Sequence, residues 1–174
     1  MSTAPESVTS LDQPLYGASI GEAFVRFWRK YFVFSGRASR SEYWWWYLTA
    51  VIINAVLNGL GRIDGPVGNV FNVVGVLWGI ATIVPTLALL WRRLHDTNRS
   101  GLWAFAPLVL LFAGFVLVAV GGALALAHNP AALAIAVTLW IIAAVIFLLS
   151  AIIILILTVL PANPAGARFD RARR

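Results

Sequence analysis

The fold of this protein is decided by residues 102–160, which read LWAFAPLVLLFAGFVLVAVGGALALAHNPAALAIAVTLWIIAAVIFLLSAIIILILTVL. They lie within a longer stretch, 100–167, that contains no Lys, Arg, Asp or Glu. Because about 20 apolar residues cross the ~30 Å hydrocarbon layer of a membrane, this stretch is long enough for two crossings. A polar break at 128–130 divides it, since its proline disfavours helix in the residue before. We therefore predict transmembrane helices at about 102–127 and 131–160.

Two further charge-free segments precede this stretch, and they predict transmembrane helices at about 43–60 and 70–90. The composition agrees, because 60% of the 174 residues are hydrophobic, only 11% are charged and the mean hydropathy is +0.84. A soluble domain is about half apolar and about a quarter charged, so an ordinary soluble globule and a disordered chain are both excluded. We predict an all-α integral membrane protein whose four transmembrane helices form a bundle.

The basic residues predict the orientation of these helices. The formal net charge is +6, and every Lys and Arg except Arg62 falls on one side of the four predicted spans. Basic residues collect on the cytoplasmic side of membrane proteins, so both termini are predicted to be cytoplasmic. The predicted location is a plasma membrane, which the protein crosses several times.

The segments outside the spans are predicted from their polarity. Residues 1–18 predict a disordered tail without the apolar region of a secretory signal. Residues 19–34 combine a capping box, Ser19 with Glu22, and an aromatic stripe at helical spacing, which predicts an amphipathic cytoplasmic helix. This helix either lies in the membrane interface or packs on the ends of the spans. The transmembrane domain is predicted at 35–163, and a basic cytoplasmic tail at 164–174.

The predicted spans contain few groups that support chemistry. They hold no Asp, Glu, Lys or Arg, so we expect no catalytic residue, no cofactor and no metal site. Asn54 and Asn58 share one face of the first span, and Gly75 and Gly79 form a G-x-x-x-G pattern in the second. Both pairs are interpreted as helix-packing residues.

The predicted cytoplasmic edge of the spans is richer in charge, and two interpretations of it remain open. In the first, Glu42 and Asp96 form ion pairs with arginines and lock the loop after the second span to the start of the first. In the second, the edge binds an anion, because arginine matches phosphate geometry and anionic lipids supply phosphates there. The residues of this candidate lipid or anion site are Arg37, Arg40, Arg92, Arg93, His95, Asp96, Asn98 and Arg99.

Two segments resemble the signatures of a family of small bacterial inner-membrane proteins, domain of unknown function family 805. They are FSGRASRSEYW at 34–44, with a second possible capping box from Ser39 to Glu42, and RRLHDTNRSGLW at 92–103. The chain departs from the family pattern at Asn98 and Leu102, and its carboxyl-terminal signature is reduced. The resemblance implies a helical protein of the bacterial inner membrane, and it implies no catalytic residue or substrate.

Three functions fit these features. The first is a non-enzymatic membrane protein that binds anionic lipid headgroups or a membrane-protein partner, including another copy, at the arginine-rich edge. The second is a small oligomeric transporter or channel lined by Asn54, Asn58 and Asn72. The third is a membrane enzyme acting on lipid phosphates, with His95 as base and Asp96 as its orienting group. Nucleic acid is not an expected partner, because the basic groups lie next to the bilayer.

Overall fold

The computed structural model describes residues 13–127 and 129–170, and this part of the chain is helical without a strand. It forms two compact units, which are described separately. The first unit comprises 13–101 and 161–170, and the second comprises Leu102–Leu160. The helices are α1 (Ile20–Arg29), α2 (Arg40–Leu60), α3 (Pro66–Asp96), α4 (Phe105–Ala125) and α5 (Pro130–Val159), with short 3-10 helices at Gly101–Ala104 and Pro164–Phe169.

Three helical segments are long and apolar enough to cross a membrane: Pro66–Asp96, Gly101–Ala125 and Pro130–Val159. They correspond to the second, third and fourth predicted spans. Helix α2, the first predicted span, has 21 residues but is not among them. Its first two turns carry Arg40, Glu42 and a run of Tyr and Trp, whose polar groups favour the membrane interface over the hydrocarbon layer.

In the second unit, α4 and α5 pack closely through small residues. Gly114 faces the ring of Phe147, and Gly121 faces the indole of Trp140, so closely that a Cβ at either glycine would overlap the ring. The buried hydroxyl of Ser150 donates a hydrogen bond of 3.0 Å to the carbonyl of Pro107. Small residues let two helices in lipid approach closely, which replaces the hydrophobic driving force that is missing there.

In the first unit, α1 packs on α2 through its aromatic stripe. Phe27 stacks on Trp46 with 3.2 Å between ring centroids, and Trp28 meets Trp46 and Trp78 edge to face. Helix α1 ends at Arg29, so the prediction of a helix through residue 34 was too long. The aromatic stripe of α1 thus finds partners on α2 and α3, which is the packing that one of the two predicted positions requires.

The two terminal segments make backbone hydrogen bonds to α2 and α3 where the structure describes them. Residues 13–18 were predicted to be disordered, but the Leu15 amide donates to Glu42 Oε2 (3.2 Å) and the Ala18 amide to Ser41 Oγ (3.0 Å). At the other end, the Asn163 amide donates to the Asp96 carbonyl (2.8 Å), which docks Pro164–Phe169 on the end of α3. Backbone donors in both segments thus find acceptors on α2 and α3. The rest of the predicted tails, 1–12 and 171–174, lies outside the described residues.

Candidate functional site

Most charged residues of the first unit, but not Arg62 and Asp64, gather at one end, which we call the rim. It consists of α1, residues 30–42, the last two turns of α3 and residues 163–170. Helix α2 begins here with a complete capping box, as the sequence pattern predicted. The Ser39 hydroxyl accepts from the Glu42 amide (3.2 Å), and Glu42 Oε2 accepts from the Ser39 amide (2.9 Å). The capping box holds the Glu42 carboxylate at the base of the rim, where it is 2% exposed.

Two cations lie within 4 Å of this carboxylate and a third interacts with it electrostatically, and we call the group the Glu42 cluster: Arg26, Lys30, Glu42 and Arg92. Arg26 Nε lies 2.5 Å from Glu42 Oε1, and Lys30 Nζ lies 3.9 Å from the same oxygen. Arg92 interacts electrostatically with both Glu42 and Arg26. All four residues are buried. The cluster therefore holds three basic groups and one carboxylate out of water.

A second group, the Asp96 cluster, comprises Tyr16, Arg37, Arg93, Asp96 and Asp170. Arg93 Nη1 lies 2.5 Å from Asp96 Oδ2, and the Tyr16 hydroxyl donates to Asp96 Oδ1 (2.9 Å). Arg37 makes a bidentate pair with Asp170, at 2.6 and 2.9 Å, and lies 4.0 Å from Asp96. Two guanidinium groups face two carboxylates, so the charges of this cluster balance.

The hydrogen bonds of the Asp96 cluster change the acidity of its outer groups. Partial burial, together with the hydrogen bond to Asp96, raises the pKa of Tyr16 from 10.0 to about 12. The hydrogen bonds to Asp170 raise the pKa of the Arg37 guanidinium above its ordinary value. Tyr16 is therefore a neutral hydrogen-bond donor and Arg37 a permanent cation at neutral pH.

His95 belongs to neither cluster. Its Nδ1 lies 3.0 Å from the Gly36 carbonyl, and its ring stacks on Phe169 with 4.0 Å between centroids. Both carboxylate oxygens of Asp96 bond to other groups, Tyr16 and Arg93. In the described structure His95 therefore joins residues 35–38 to the carboxyl-terminal segment. It does not form a hydrogen-bonded pair with Asp96, which the hypothesis of a catalytic base requires.

The structure distributes the predicted anion-site residues over the rim instead of gathering them in one place. Arg92 lies in the Glu42 cluster, whereas Arg37, Arg93 and Asp96 lie in the other. Four predicted residues lie outside both clusters. His95 is one of them, Arg40 is exposed, Arg99 is half-buried, and Asn98 has φ 60° in the turn after α3. The predicted pairing partners Glu42 and Asp96 do contact arginines, and their main partners are Arg26 and Arg93.

Four residues of these clusters were not singled out from the sequence: Tyr16, Arg26, Lys30 and Asp170. Arg26 and Lys30 carry a usable signal, because residues four apart share one helix face. Asp170 and Arg37 are separated by 133 positions, and Tyr16 and Asp96 by 80. No local pattern predicts pairs so far apart.

The residues predicted to pack helices make no close contact between helices in the part of the chain that the structure describes. A Cβ at Gly75 or Gly79 would meet nothing within 4 Å in the described chain, so the close helix contact predicted for this pair is absent there. Asn54 and Asn58 donate to carbonyls of their own helix, at 2.8 and 2.7 Å. The side chain that does join α2 to α3 in this region is Asn72, which donates to the Gly61 carbonyl (3.1 Å). The close contact in this region falls on Gly61, where an added Cβ would overlap the side chain of Asn72.

These asparagines also line a surface cavity of about 270 Å³ in the first unit. Asn54, Asn58, Asn72 and Gly75 contribute to its wall, with Leu57, Phe71 and Val76. The cavity is thus a mixed polar and apolar recess between α2 and α3.

Comparison with known proteins agrees with the membrane character of the chain. Residues 31–171 match the family described as "Protein of unknown function (DUF805)". The chain is 43% identical to Inner membrane protein YhaI of Escherichia coli over 84 residues, covering 47% of this chain and 69% of that protein. It is 34% identical to Inner membrane protein YhaH of the same organism over 87 residues, covering 49% of this chain and 72% of that protein.

A third E. coli relative, Uncharacterized protein YiiR, is 35% identical over 88 residues, covering 48% of this chain and 56% of that protein. No solved structure matches the chain. Three observations agree with one another. They are the two signature segments, the apolar helices of the fold and the family match over most of the chain. This protein is therefore a membrane protein that belongs to the DUF805 family of proteins of unknown function.

Proposed function

We propose that this protein is a multi-pass protein of the bacterial inner membrane that is not an enzyme and acts by interaction at its rim. Its partners are anionic lipid headgroups or a membrane protein. The inner-membrane names of YhaI and YhaH and the three apolar helices support the location. The concentration of basic residues in the rim supports the mode of action.

In this proposal α2 is a fourth span and both termini are cytoplasmic. At 1.5 Å per residue, the 21 residues of α2 extend ~32 Å, which is close to the thickness of the hydrocarbon layer. Its aromatic first turns then lie at headgroup level. Arg62, in the short segment between α2 and α3, is the one basic residue on the opposite side.

The observation that carries the proposed interaction is the exposure of three cations around the rim. Arg29 ends α1, Arg40 begins α2 and Arg168 lies in the carboxyl-terminal 3-10 helix. A basic residue near an anionic membrane surface contributes about 1 kcal/mol of attraction. Three such residues come from separate parts of the chain. Together they attract anionic headgroups to the rim more strongly than neutral ones.

Reconstitution into nanodiscs of mixed neutral and anionic lipid tests this proposal. We expect the purified protein to retain anionic lipid above its share in the mixture, as measured by native mass spectrometry. The combined Arg29→Gln, Arg40→Gln and Arg168→Gln variant should lose this enrichment, whereas the Arg62→Gln control should keep it. Equal lipid composition around all three proteins, together with equal recovery of co-purifying proteins, would contradict the proposal.

A second candidate function, a small oligomeric transporter or channel, is favoured by the asparagine-lined cavity. Neutral amide groups can line a solute path without an ionisable relay, and Gly75 leaves room for another helix to approach. Flux across proteoliposomes that falls when Asn58 and Asn72 are replaced by Leu would support this function. Flux no higher than in empty vesicles would count against it.

A further inference from the structure

The cavity of about 270 Å³ between α2 and α3 carries three amide side chains, Asn54, Asn58 and Asn72, and we call it the asparagine recess. All three side chains are exposed. Asn72 lies in the second turn of α3, one of the helices that are long and apolar enough to cross a membrane. Exposed side chains near the recess on the same two helices are apolar, and they include Val56, Leu77 and Ile80. The recess is therefore a polar patch on an apolar helix surface.

The amides of the recess use only part of their hydrogen-bonding capacity within the described part of the chain. Asn54 and Asn58 each donate to a carbonyl of their own helix, and Asn72 donates to the Gly61 carbonyl. A side-chain amide has two N–H donors and an oxygen with two lone pairs. None of these three oxygens accepts a hydrogen bond from another described residue. Lipid offers no donor to them, so a second protein surface that does would be favoured there.

The recess also has room for another helix to approach. On α3 the positions Asn72, Gly75 and Gly79 follow one another at the three- and four-residue spacing of one helix face. A Cβ at either glycine would meet nothing within 4 Å. Helices in lipid associate where small residues let their backbones approach and polar side chains form hydrogen bonds between them. The amides and the open glycines of this face meet both conditions.

We propose that the asparagine recess is the interface between two copies of this chain, in which Asn54, Asn58 and Asn72 of one copy hydrogen-bond to the amides of the other. An amide both donates and accepts, so a patch of amides is complementary to itself. An interface between identical copies related by a two-fold rotation requires such self-complementarity. The interface rests on the proposed position of α2 as a span, and it is separate from the rim.

Association of the full-length protein in liposomes of neutral lipid tests this interface. Ala162→Cys, the single cysteine of the labelled protein, carries either a donor or an acceptor dye, and energy transfer between copies is measured against the protein-to-lipid ratio. We expect transfer to rise and saturate for the otherwise wild-type chain. Combined Asn54→Leu and Asn58→Leu substitutions should raise the dissociation constant about tenfold or more, since hydrogen bonds between helices are lost.

The matched control for the asparagines is Thr138→Val on α5. Thr138 is also exposed, and its hydroxyl also donates to a carbonyl of its own helix (2.9 Å). This substitution should leave the dissociation constant unchanged. Leucine at 54 and 58 makes α2 more apolar, so non-specific association would not fall in that variant.

Gly75→Leu tests the same interface without changing an amide. Its Cβ has open space within the described chain, so the single copy should fold, but the side chain fills the space that a second copy needs. We expect weaker association, whereas Gly122→Leu, at an equally open glycine of α4, should associate like the wild type. If the double asparagine variant does not fold, Gly75→Leu provides the comparison.

Disulfide cross-linking locates the contact. Val76 lines the recess and Val74 lies on another face of α3, and both are exposed. Under mild oxidation in liposomes, Val76→Cys should form covalent dimers faster than Val74→Cys. Faster cross-linking of Val74→Cys would place the contact on the other face and overturn the interface.

Two further results would overturn it. One is a wild-type protein that stays monomeric at every protein-to-lipid ratio, whether or not it conducts a solute or recovers another protein. The other is a dimer that neither the asparagine substitutions nor Gly75→Leu weaken. Anionic-lipid enrichment at the rim and maleimide labelling of the segment after α2 are separate readouts. A monomer that still enriches anionic lipid, and whose α2 crosses the membrane, would reject this interface and leave the proposed function standing.

Discussion

At the scale of single residues, Glu42 has several roles at once. Its Oε2 caps the amide of Ser39 and accepts from the Leu15 amide, while its Oε1 pairs with Arg26. The same carboxylate therefore starts α2, holds segment 13–18 and compensates the buried cations of α1 and α3. Loss of its charge affects three parts of the first unit together.

We predict that Glu42→Gln lowers the free energy of unfolding by about 3–5 kcal/mol, because it leaves buried cations without their counter-ion. Denaturant or thermal unfolding in detergent measures this loss. Glu22→Gln is the matched control, since Glu22 has the same position in the capping box of α1 but is exposed. Equal effects of the two substitutions would show that Glu42 acts only as a cap.

Tyr16 gives a prediction that depends on pH. Tyr16→Phe removes the hydrogen bond to Asp96 and should cost about 1 kcal/mol, since the residue is exposed enough for solvent to weaken the interaction. The folded pKa of Tyr16 is raised from 10.0 to about 12, so its contribution is complete below pH 10 and is lost as the pH rises through 12.

Unfolding of wild type and Tyr16→Phe at pH 8 and above pH 10 measures this difference. The difference in the free energy of unfolding between the two proteins should become smaller as the pH rises. Tyr47→Phe, which alters an exposed tyrosine of α2, should leave stability unchanged at pH 8. A gap that widens with pH would contradict the assignment of Tyr16 as the neutral donor.

At the scale of elements, the units differ in what holds their helices together. In the first unit, aromatic stacking and ion pairs join α1, α2 and α3. In the second, α4 and α5 contain no ionisable residue, and close contact at glycines replaces those interactions. Substitution of a glycine should therefore weaken the packing of α4 on α5 only where that glycine faces the partner helix.

We predict that Gly114→Val disrupts the packing of α4 on α5 by about 1–3 kcal/mol, because the new side chain overlaps the ring of Phe147. Gly122→Val is the control on the same helix, where a Cβ meets nothing within 4 Å. Unfolding by a denaturing detergent, followed by circular dichroism, compares the two. Loss of stability only in Gly122→Val would mean that α4 presents another face to α5.

At the scale of the whole molecule, the number of spans decides which segments share a side of the membrane. If α2 crosses, residues on α1 and residues between α2 and α3 face opposite sides. If α2 lies at the surface, both face the same side. The chain contains no cysteine, so single cysteines report on each segment without interference.

We predict that Asp64→Cys and Asn129→Cys react with a membrane-impermeant maleimide in intact cells. Phe32→Cys and Ala162→Cys should react only after the membrane is opened, since both are expected to be cytoplasmic. Reaction of Phe32→Cys together with Asp64→Cys in intact cells would show that α2 does not cross. Reaction of Phe32→Cys and Ala162→Cys in intact cells, with Asp64→Cys and Asn129→Cys protected, would mean that the orientation is reversed.

Much of the helical fold follows from local sequence patterns. Charge-free runs predicted where α3, α4 and α5 lie, because a membrane requires about 20 uninterrupted apolar residues. Capping boxes at Ser19 and Ser39 were recognisable because their partners are three residues away in the chain. These features depend on neighbours along the helix, so no knowledge of packing is needed to predict them.

The partners of most charged residues were decided by the tertiary structure, whereas Arg93 and Asp96 form a local pair three residues apart on α3. From sequence, the arginines near α2 and α3 formed one group, but packing places Arg92 with Arg26 and Lys30, and Arg93 with Asp96. The pairing of Arg37 with Asp170 depends on the return of the carboxyl-terminal segment to α3. An ion pair between distant segments forms only where folding brings the two groups within a few ångströms, and their separation along the chain does not predict that distance. The sequence by itself therefore determined the apolar helices and their caps, whereas the tertiary structure determined which distant charged groups meet, because that depends on how the segments pack.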